Sequence, residues 1–506
     1  MASLSTTPGP ESGTGDLLAS APGGRGRHRS NGRAPLRADY EYVEGWGMAV
    51  GALSRVLRPS DADGLRAAIE LARREGRSLG LRGAGCSYGD ASVNDGGHVL
   101  DVTRMNRILG WDPETGVAEL EPGVTIEQLW KRILPDGWWP RVVSGTMFPT
   151  VAGAAAMNIH GKNNFAVGTF GDAVHEFDLV LPSGELRTCS RDQNADLFHA
   201  AIGGFGVLGV FSRVVLQTKR VYSGDVEVSA FANRNLREMM DYMEAHRGTS
   251  DYLVGWIDCF GRGDGLGRGL VHDARYLEPG EDPEPAATFE LAHQELPKNL
   301  LGVVPKSEMW RFMRPFASDL GVRFINAAKY WAGRLEGMGE PHRQAHAAFN
   351  FLLDYVPNWK WSYGRGGLIQ YQSFLPAETA HEVYSELLRR CHRRGIVPYL
   401  GVFKRHRPDP FWLTHAVDGW SFAMDFRVTE AGREDLWKHC AELTEVVLEG
   451  GGKFYFAKDL VIGYRDMVRY FPPPKLEAFL ALKRELDPEE LLQTNLWRRV
   501  FRPPAE

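Results

Sequence analysis

The sequence predicts an α+β fold of two domains. Three observations carry that expectation: a length of 506 residues, several times what one compact core holds; an irregular mixture of short strands and helices up to about residue 222; and a regular βαββαβ succession in the second half. Glycine is in excess, 57 of 506 residues or about 11% against roughly 7% in ordinary proteins, and 19 of the 57 fall between Gly83 and Gly209. That concentration asks for sharp turns or close approach of backbone to a ligand.

Residues 1–35 hold Gly, Ser, Pro and Arg with almost no aromatic or β-branched content, too little to bury, and are expected to form a disordered tail. Its basic cluster, Arg25, Arg27, His28, Arg29 and Arg33, reads as a solvated tail, the alternative being a binding arm. A first domain is expected over 36–222. Leu65, Ile69 and Ala72 recur at helical spacing after Asp61 and Asp63, and Gly76 ends that helix. Strands follow over 78–82, 99–102 and 117–121. Thr125 with Gln128 forms a capping box opening a helix through Leu134, and a helix over 195–202 leads into a strand over 210–219.

A second domain is expected over 223–465, with 466–506 returning to the first. Its strands are expected over 368–374, 396–404, 420–428 and 453–457, with helices over 376–394 and 430–448. This is a split βαβ sheet with both helices on one face. Along the third strand Trp420, Phe422, Met424 and Phe426 share one face, while Ser421, Ala423 and Asp425 share the other. Gln370 and Gln372 likewise share a face. That alternation fits a half-exposed antiparallel sheet or a sheet facing a ligand. Met309–Phe316, with Arg311 and Arg314 interleaved, fits an amphipathic core helix or a surface for a lipid tail, and 283–339 resists assignment.

Charge and composition exclude several classes. Lys+Arg of 59 against Asp+Glu of 64 gives −5, so nothing global attracts nucleic acid or an anionic membrane. Five unpaired, widely spaced cysteines argue against a disulfide framework or a zinc site, and no metal is expected. No apolar stretch approaches the ~18 residues of a membrane span, so the expected location is the cytosol, with at most peripheral contact at the inner membrane face.

Gly204-Phe205-Gly206-Val207-Leu208-Gly209 is a literal GxGxxG, but it follows a helix and precedes a strand, the reverse of a Rossmann fingerprint. Two other loops suit phosphate contact better. Residues 82–90, RGAGCSYGD, follow a strand directly. Ser144-Gly145-Thr146 precedes Thr150, an N-cap candidate ahead of a small-residue run over 151–156.

These loops, together with EPGVTIEQLW, SGTMFPTVAGAAAMNIHGKN, GTFGDAV, EFDLVLPSGE and NADLFHAAIGGFGVLGV, resemble the PCMH-type FAD-binding domain of the vanillyl-alcohol oxidase superfamily. Within it the chain is most similar to the branch of polyprenylphosphoryl-ribose 2′-oxidases and aldonolactone oxidases, which also carries counterparts of Ile369–Phe374, of the Val402-Phe403-Lys404 strand end and of Tyr455–Asp459. The likeness runs over about residues 40–500.

The resemblance implies FAD bound by Arg82, Gly83, Ala84, Gly85, Cys86, Ser87, Tyr88, Gly89, Ser144, Gly145, Thr146, Thr150, Gly153, Asn158, His160, Gly161, Lys162, Gly204 and Val210. It implies catalytic roles for Lys458, Gln370, Gln372 and Lys404, Lys458 being the choice for the base that takes a hydroxyl proton. The implied reaction is oxidation of a secondary hydroxyl on a sugar-type substrate, polyprenyl-phosphoribose being the favoured case and a partner reductase then completing an epimerisation. Aldonolactone or polyol oxidation and Δ24-sterol reduction are the rival enzyme readings, and a flavin-free scaffold with a basic binding tail is the non-enzyme one. Cys86 stands where many members carry a histidine bonded to FAD, so FAD is expected to be noncovalent. Ala423 stands where that branch has a cysteine, which predicts insensitivity to thiol-directed agents there.

Overall fold

Short apolar runs punctuated by glycine build the first part of the chain as two small sheets. The computed structural model describes residues 36–504 apart from 298, 301–303 and 336–338; the expected N-terminal tail lies outside the described residues. Strands β1 (Leu36–Glu44) and β2 (Gly51–Pro59) pair antiparallel. Helix α1 (Ala62–Arg74) follows, its Gly64 N–H donating to the Asp61 carboxylate at 2.8 Å, and buries Leu65, Ala68, Ile69 and Ala72. Strands β3 (Leu79–Arg82) and β4 (His98–Asp101) complete the order β1-β2-β4-β3, β4 running parallel to both neighbours.

The second sheet is antiparallel. It holds β5 (Ile108–Asp112), β6 (Val117–Leu120), β7 (Trp138–Pro140), β8 (Val174–Val180), β9 (Leu186–Ser190) and β10 (Val210–Arg220), in the order β5-β6-β10-β8-β9 with β7 also on β10. The capping box at Thr125 and Gln128 is present and opens α2 (Ile126–Ile133). Helices α3 (Val151–Ala156), α4 (Asn164–Val167) and α5 (Ala195–Ala201) connect the strands.

After Asp225 the chain builds one eight-stranded antiparallel sheet. Its elements are β11 (Asp225–Asn233), α6 (Leu236–His246), β12 (Tyr252–Ile257) and β13 (Gly269–Tyr276). Next come α7 (Pro285–Thr288), the ribbon β14 (Asn299–Leu300) and β15 (Val304–Pro305), α8 (Met309–Met313), α9 (Asp319–Leu335), β16 (His342–Ala345) and α10 (His346–Asn350). The βαββαβ unit follows: β17 (Leu368–Pro376), α11 (Ala377–Arg394), β18 (Leu400–His406), β19 (Gly419–Arg427), α12 (Arg433–Glu449) and β20 (Lys453–Phe454). The sheet order is β16-β11-β13-β12-β18-β19-β17-β20. The expected four-stranded unit is thus half of a sheet twice as wide.

Two expected strands are shorter than their sequences suggested. β18 begins at Leu400 rather than 396, because Pro398 has no N–H for a ladder. β20 ends at Phe454 because Tyr455–Lys458 turns away from the sheet, Tyr88 N–H donating to the Ala457 carbonyl at 2.8 Å. α11 and α12 cover one face of the sheet: the buried Tyr384 hydroxyl donates to the carbonyls of Ser373 and Trp420 at 3.0 and 2.9 Å, and Phe422 meets the Tyr384 ring edge-on. The chain then returns through α13 (Tyr464–Tyr470), α14 (Pro473–Leu486) and α15 (Asn495–Val500). Lys483 Nζ donates to the Val207 carbonyl at 2.9 Å and Leu79 N–H to the Leu491 carbonyl at 2.7 Å.

Candidate active site

The uncovered face of the eight-stranded sheet and the glycine loops enclose a cavity of about 660 Å³. One wall is the turn after β3. A Cβ on Gly83 would lie 2.2 Å from Thr150 Oγ1, so this turn and the start of α3 interlock only with glycine there. Thr150 is the N-cap of α3, its hydroxyl accepting from Gly153 N–H at 3.2 Å. Arg82 donates to the Glu44 carbonyl at 3.1 Å and to Ser92 Oγ at 2.9 Å, which holds the root of the turn.

A second wall is 144–153, latched by a segment the sequence did not single out. The Thr146 hydroxyl and Met147 N–H donate to the Asp354 carboxylate at 2.7 and 2.9 Å, and Leu353 N–H donates to the Gly145 carbonyl at 3.1 Å. Burial pushes Asp354 up to about 6.

The third wall is the sheet. Gln370 and Gln372 on β17, Ser421 and Ala423 on β19, Leu400, Val402 and Lys404 on β18, and Val254 and Trp256 on β12 all line the cavity. Of the two readings of the strand alternation, the half-exposed sheet is not the one present: β17 and β19 are buried almost throughout, and their small polar face lines the cavity. Gln370 Nε2 donates to Asp425 Oδ1 at 2.5 Å across the β17–β19 register, while Asp425 Oδ2 is buried without a hydrogen-bond partner. Lys458 Nζ sits 3.5 Å from the centre of the Tyr88 ring. Burial holds this lysine down to about 7; Asp425 opposes that shift and Lys404 adds to it. Burial likewise raises Asp425 to about 7, so the two groups titrate as a pair.

His160 joins the glycine loops to the sheet. Lys404 Nζ approaches its Nδ1 at 3.5 Å and the Gln372 amide its Nε2 at 3.1 Å. Burial, then Lys404, keep this imidazole well below its ordinary value and hence neutral. With the ammonium donating to Nδ1, the proton sits on Nε2 and the Gln372 amide turns its oxygen toward it. His406 and His415 pack against the same ring at 4.9 and 5.5 Å, and His406 Nε2 lies 2.7 Å from Ser421 Oγ. Lys162 is buried, donates to the Phe349 carbonyl and lies 4.2 Å from the Phe349 ring centre.

Most sequence-predicted residues stand on this wall: Arg82, Gly83, Ala84, Gly85, Cys86, Ser87, Tyr88, Ser144, Gly145, Thr146, Thr150, Gly153, His160, Lys162, Val210, Gln370, Gln372, Lys404 and Lys458. Four expected residues stand behind it. A Cβ on Gly89 would lie 1.9 Å from the Asp459 carbonyl, so its role is to let the Lys458 turn approach. Asn158, at φ +45°, accepts from Gly171 N–H at 2.9 Å and donates to Asp409 at 3.0 Å, leaving its amide no hold on a ligand. Gly161 abuts the Asn163 side chain and Gly204 the Ala200 carbonyl. Sequence reasoning missed Asp354, Asp425, His406 and His415. Asp425 did carry a signal, as the one acid on the small-residue face of an apolar strand.

The cavity suits a flavin dinucleotide. Its glycine turns bring backbone to the wall, and Lys162, Lys360, Lys404 and Lys458 face it while Asp354 is the one carboxylate on the wall among the described residues. Comparison with known proteins agrees. A family model described as an FAD binding domain matches residues 53–190. Decaprenylphosphoryl-beta-D-ribose oxidase of Mycolicibacterium smegmatis is 30% identical over 466 residues, covering 90% of this chain and 96% of that protein. The chain belongs to the PCMH-type FAD-linked oxidoreductases. L-gulonolactone oxidase of Bos taurus is 25% identical over 211 residues, 42% of this chain and 47% of that protein. Cytokinin dehydrogenase 7 of Oryza sativa subsp. japonica is 29% identical over 208 residues, 39% of this chain and 38% of that protein. This family member is an FAD-dependent oxidoreductase acting on CH–OH groups, and the flavin-free scaffold is set aside. Among the described residues no helix is long and apolar enough to cross a membrane.

Proposed function

We propose that the protein oxidises a secondary hydroxyl of a sugar-type substrate, a polyprenyl-phosphoribose being the favoured case, with residues 36–222 as the FAD domain, 223–465 as the substrate domain and 466–506 as the returning segment. Bound FAD supplies the two-electron acceptor. Lys458 accepts the hydroxyl proton on Nζ: held near neutrality by burial, it is divided between amine and ammonium at physiological pH, as a general base must be. Gln370 and Gln372 orient the substrate from β17, Gln372 with its oxygen fixed by His160 and its NH2 free to donate toward the cavity. Lys404 stays cationic beside the neutral His160 and supplies positive charge where negative charge develops.

The observation that carries this reading is the position of Lys458. It stands over Tyr88 of the glycine turn and lines the same cavity as the glutamines of β17, which supports a shared point for cofactor loop, base and substrate. The name of the M. smegmatis relative supports ribose as the sugar. Anaerobic bleaching of the bound flavin by a panel of sugars, polyols, lactones and a polyprenyl-phosphoribose tests the reading. Reduction by a sugar or polyprenyl-phosphoribose hydroxyl is the expected result; reduction by lactones alone overturns it.

A further inference from the structure

Helix α8, which one sequence reading made a core helix, is not part of a core, and neither is α9. α8 buries none of its residues and α9 only Asn326 and Tyr330. Of nineteen large hydrophobic residues that stand exposed among those described, eight fall between Phe312 and Leu335. On α9, at 100° per residue, Leu320, Phe324, Trp331 and Leu335 fall within about 60° of one another, and they are 81, 69, 49 and 83% exposed. The opposite face is the anchored one. Gly333 packs on Leu270 of β13, and Tyr399 donates to Asp319 at 3.0 Å. The stripe is therefore held outward by the fold.

Charge selects what covers it. Between Lys306 and Arg334 there are six basic residues and two acidic ones, Glu308 and Asp319, a net of +4 within a chain of −5. Arg323 and Arg334 are exposed and border one edge of the stripe, Arg334 lying 5.3 Å from the Trp331 ring. An apolar stripe edged with arginines is the arrangement of a helix lying in a lipid headgroup layer, where the cations reach up to phosphates while the rings sink. A second copy would bring two +4 faces together. The same helix also borders the cavity: Lys329 of α9 lines it, as do Leu352 and Phe148, which are 48 and 49% exposed and form an apolar rim.

We propose that the α8–α9 surface docks the protein on an anionic lipid bilayer, with the mouth of the cavity at the headgroup level. This goes beyond the proposed chemistry and is read without it. The test is co-flotation of the full-length holoenzyme with phosphatidylcholine vesicles, with and without phosphatidylglycerol. Binding to the anionic vesicles alone, weakened by salt, is expected. A Leu320→Ser/Phe324→Ser/Trp331→Ser variant that retains its flavin absorbance should lose it. In an Arg323→Gln/Arg334→Gln variant, binding should fall roughly tenfold or more, each cation near an anionic surface being worth about fivefold. No binding by the wild type, binding that survives both variants and so belongs to the basic N-terminal tail, or a self-associated species dispersed by the stripe variant would each overturn the proposal.

Discussion

Replacing Asp425 by asparagine should make the reductive half-reaction faster near neutral pH. The buried carboxylate holds the Lys458 ammonium in place, while burial and Lys404 work to discharge it. Asparagine keeps the shape and a carbonyl for Gln370 Nε2, but removes the negative charge. An opposite charge at close range shifts a pKa by about 1–3 units, so Lys458 should fall from about 7 to roughly 6 or below. At pH 7, where about half of Asp425 is ionised, the fraction of free amine then rises by up to about twofold, with little gain at pH 5, where Asp425 is already neutral, or above pH 9. The assay is single-turnover anaerobic flavin bleaching across pH, using whichever panel substrate reduces the enzyme. Stability supplies an independent sign. Asp425 has its pKa raised from 3.8 to about 7, so its contribution is complete below about 4 and is lost as pH rises through 7. The asparagine variant should therefore gain thermal stability over wild type as pH rises through that window. An acid limb that stays where it was, or moves upward, would refute the pairing of Asp425 with Lys458.

Three further outcomes are expected. Gly83→Ala drives a Cβ into Thr150 Oγ1 at 2.2 Å; strain of about 1–3 kcal/mol should weaken FAD binding roughly tenfold or more, read as flavin retained through gel filtration, and full retention would count against the interlock. Arg499→Met strips the guanidinium that donates to Asp90 at 2.8 and 3.0 Å and to Asp459 at 2.8 Å. Denaturant unfolding should show a loss of about 2–4 kcal/mol, recovered in part by adding Asp90→Asn and Asp459→Asn, whereas a loss under about 0.5 kcal/mol would mean those carboxylates are already neutral or hydrated. Burial pushes the Cys86 thiol up to about 11, away from the thiolate that attack on a flavin requires, so acid precipitation should leave all of the flavin in the supernatant; yellow protein in the pellet contradicts noncovalent binding.

Much of the site was written locally. The glycine turn at 83–89 and the N-cap at Thr150 are read from a few neighbouring residues, because turn and cap chemistry is short-range. The facing of Ser421 and Ala423 follows from period two alone. What escaped the sequence depends on pairing at a distance. The eight-stranded sheet was seen as four strands, since β11 to β13 are separated from β17 by an insertion with no periodic signature. The latch of Asp354 on Thr146 and the pairing of Asp425 with Gln370 join positions 208 and 55 apart. Gly89 and Asn158 carry ligand-like motifs, yet serve the backbone of neighbouring loops, a distinction that only the packing makes. The outward face of α9 was illegible for the same reason: amphipathicity fixes a stripe, not the side of the molecule it meets.

The Arg499 clamp has a bearing on how the enzyme is made. Asp90 closes the glycine turn and Asp459 follows Lys458 directly; both carboxylates are nearly fully buried, and one guanidinium serves both. During synthesis, at roughly 5–20 residues per second, the glycine turn leaves the ribosome long before residue 499 exists. Until then the turn can fold only with an uncompensated buried charge. The glycine turn is thus expected to reach its final packing only once α15 has been made.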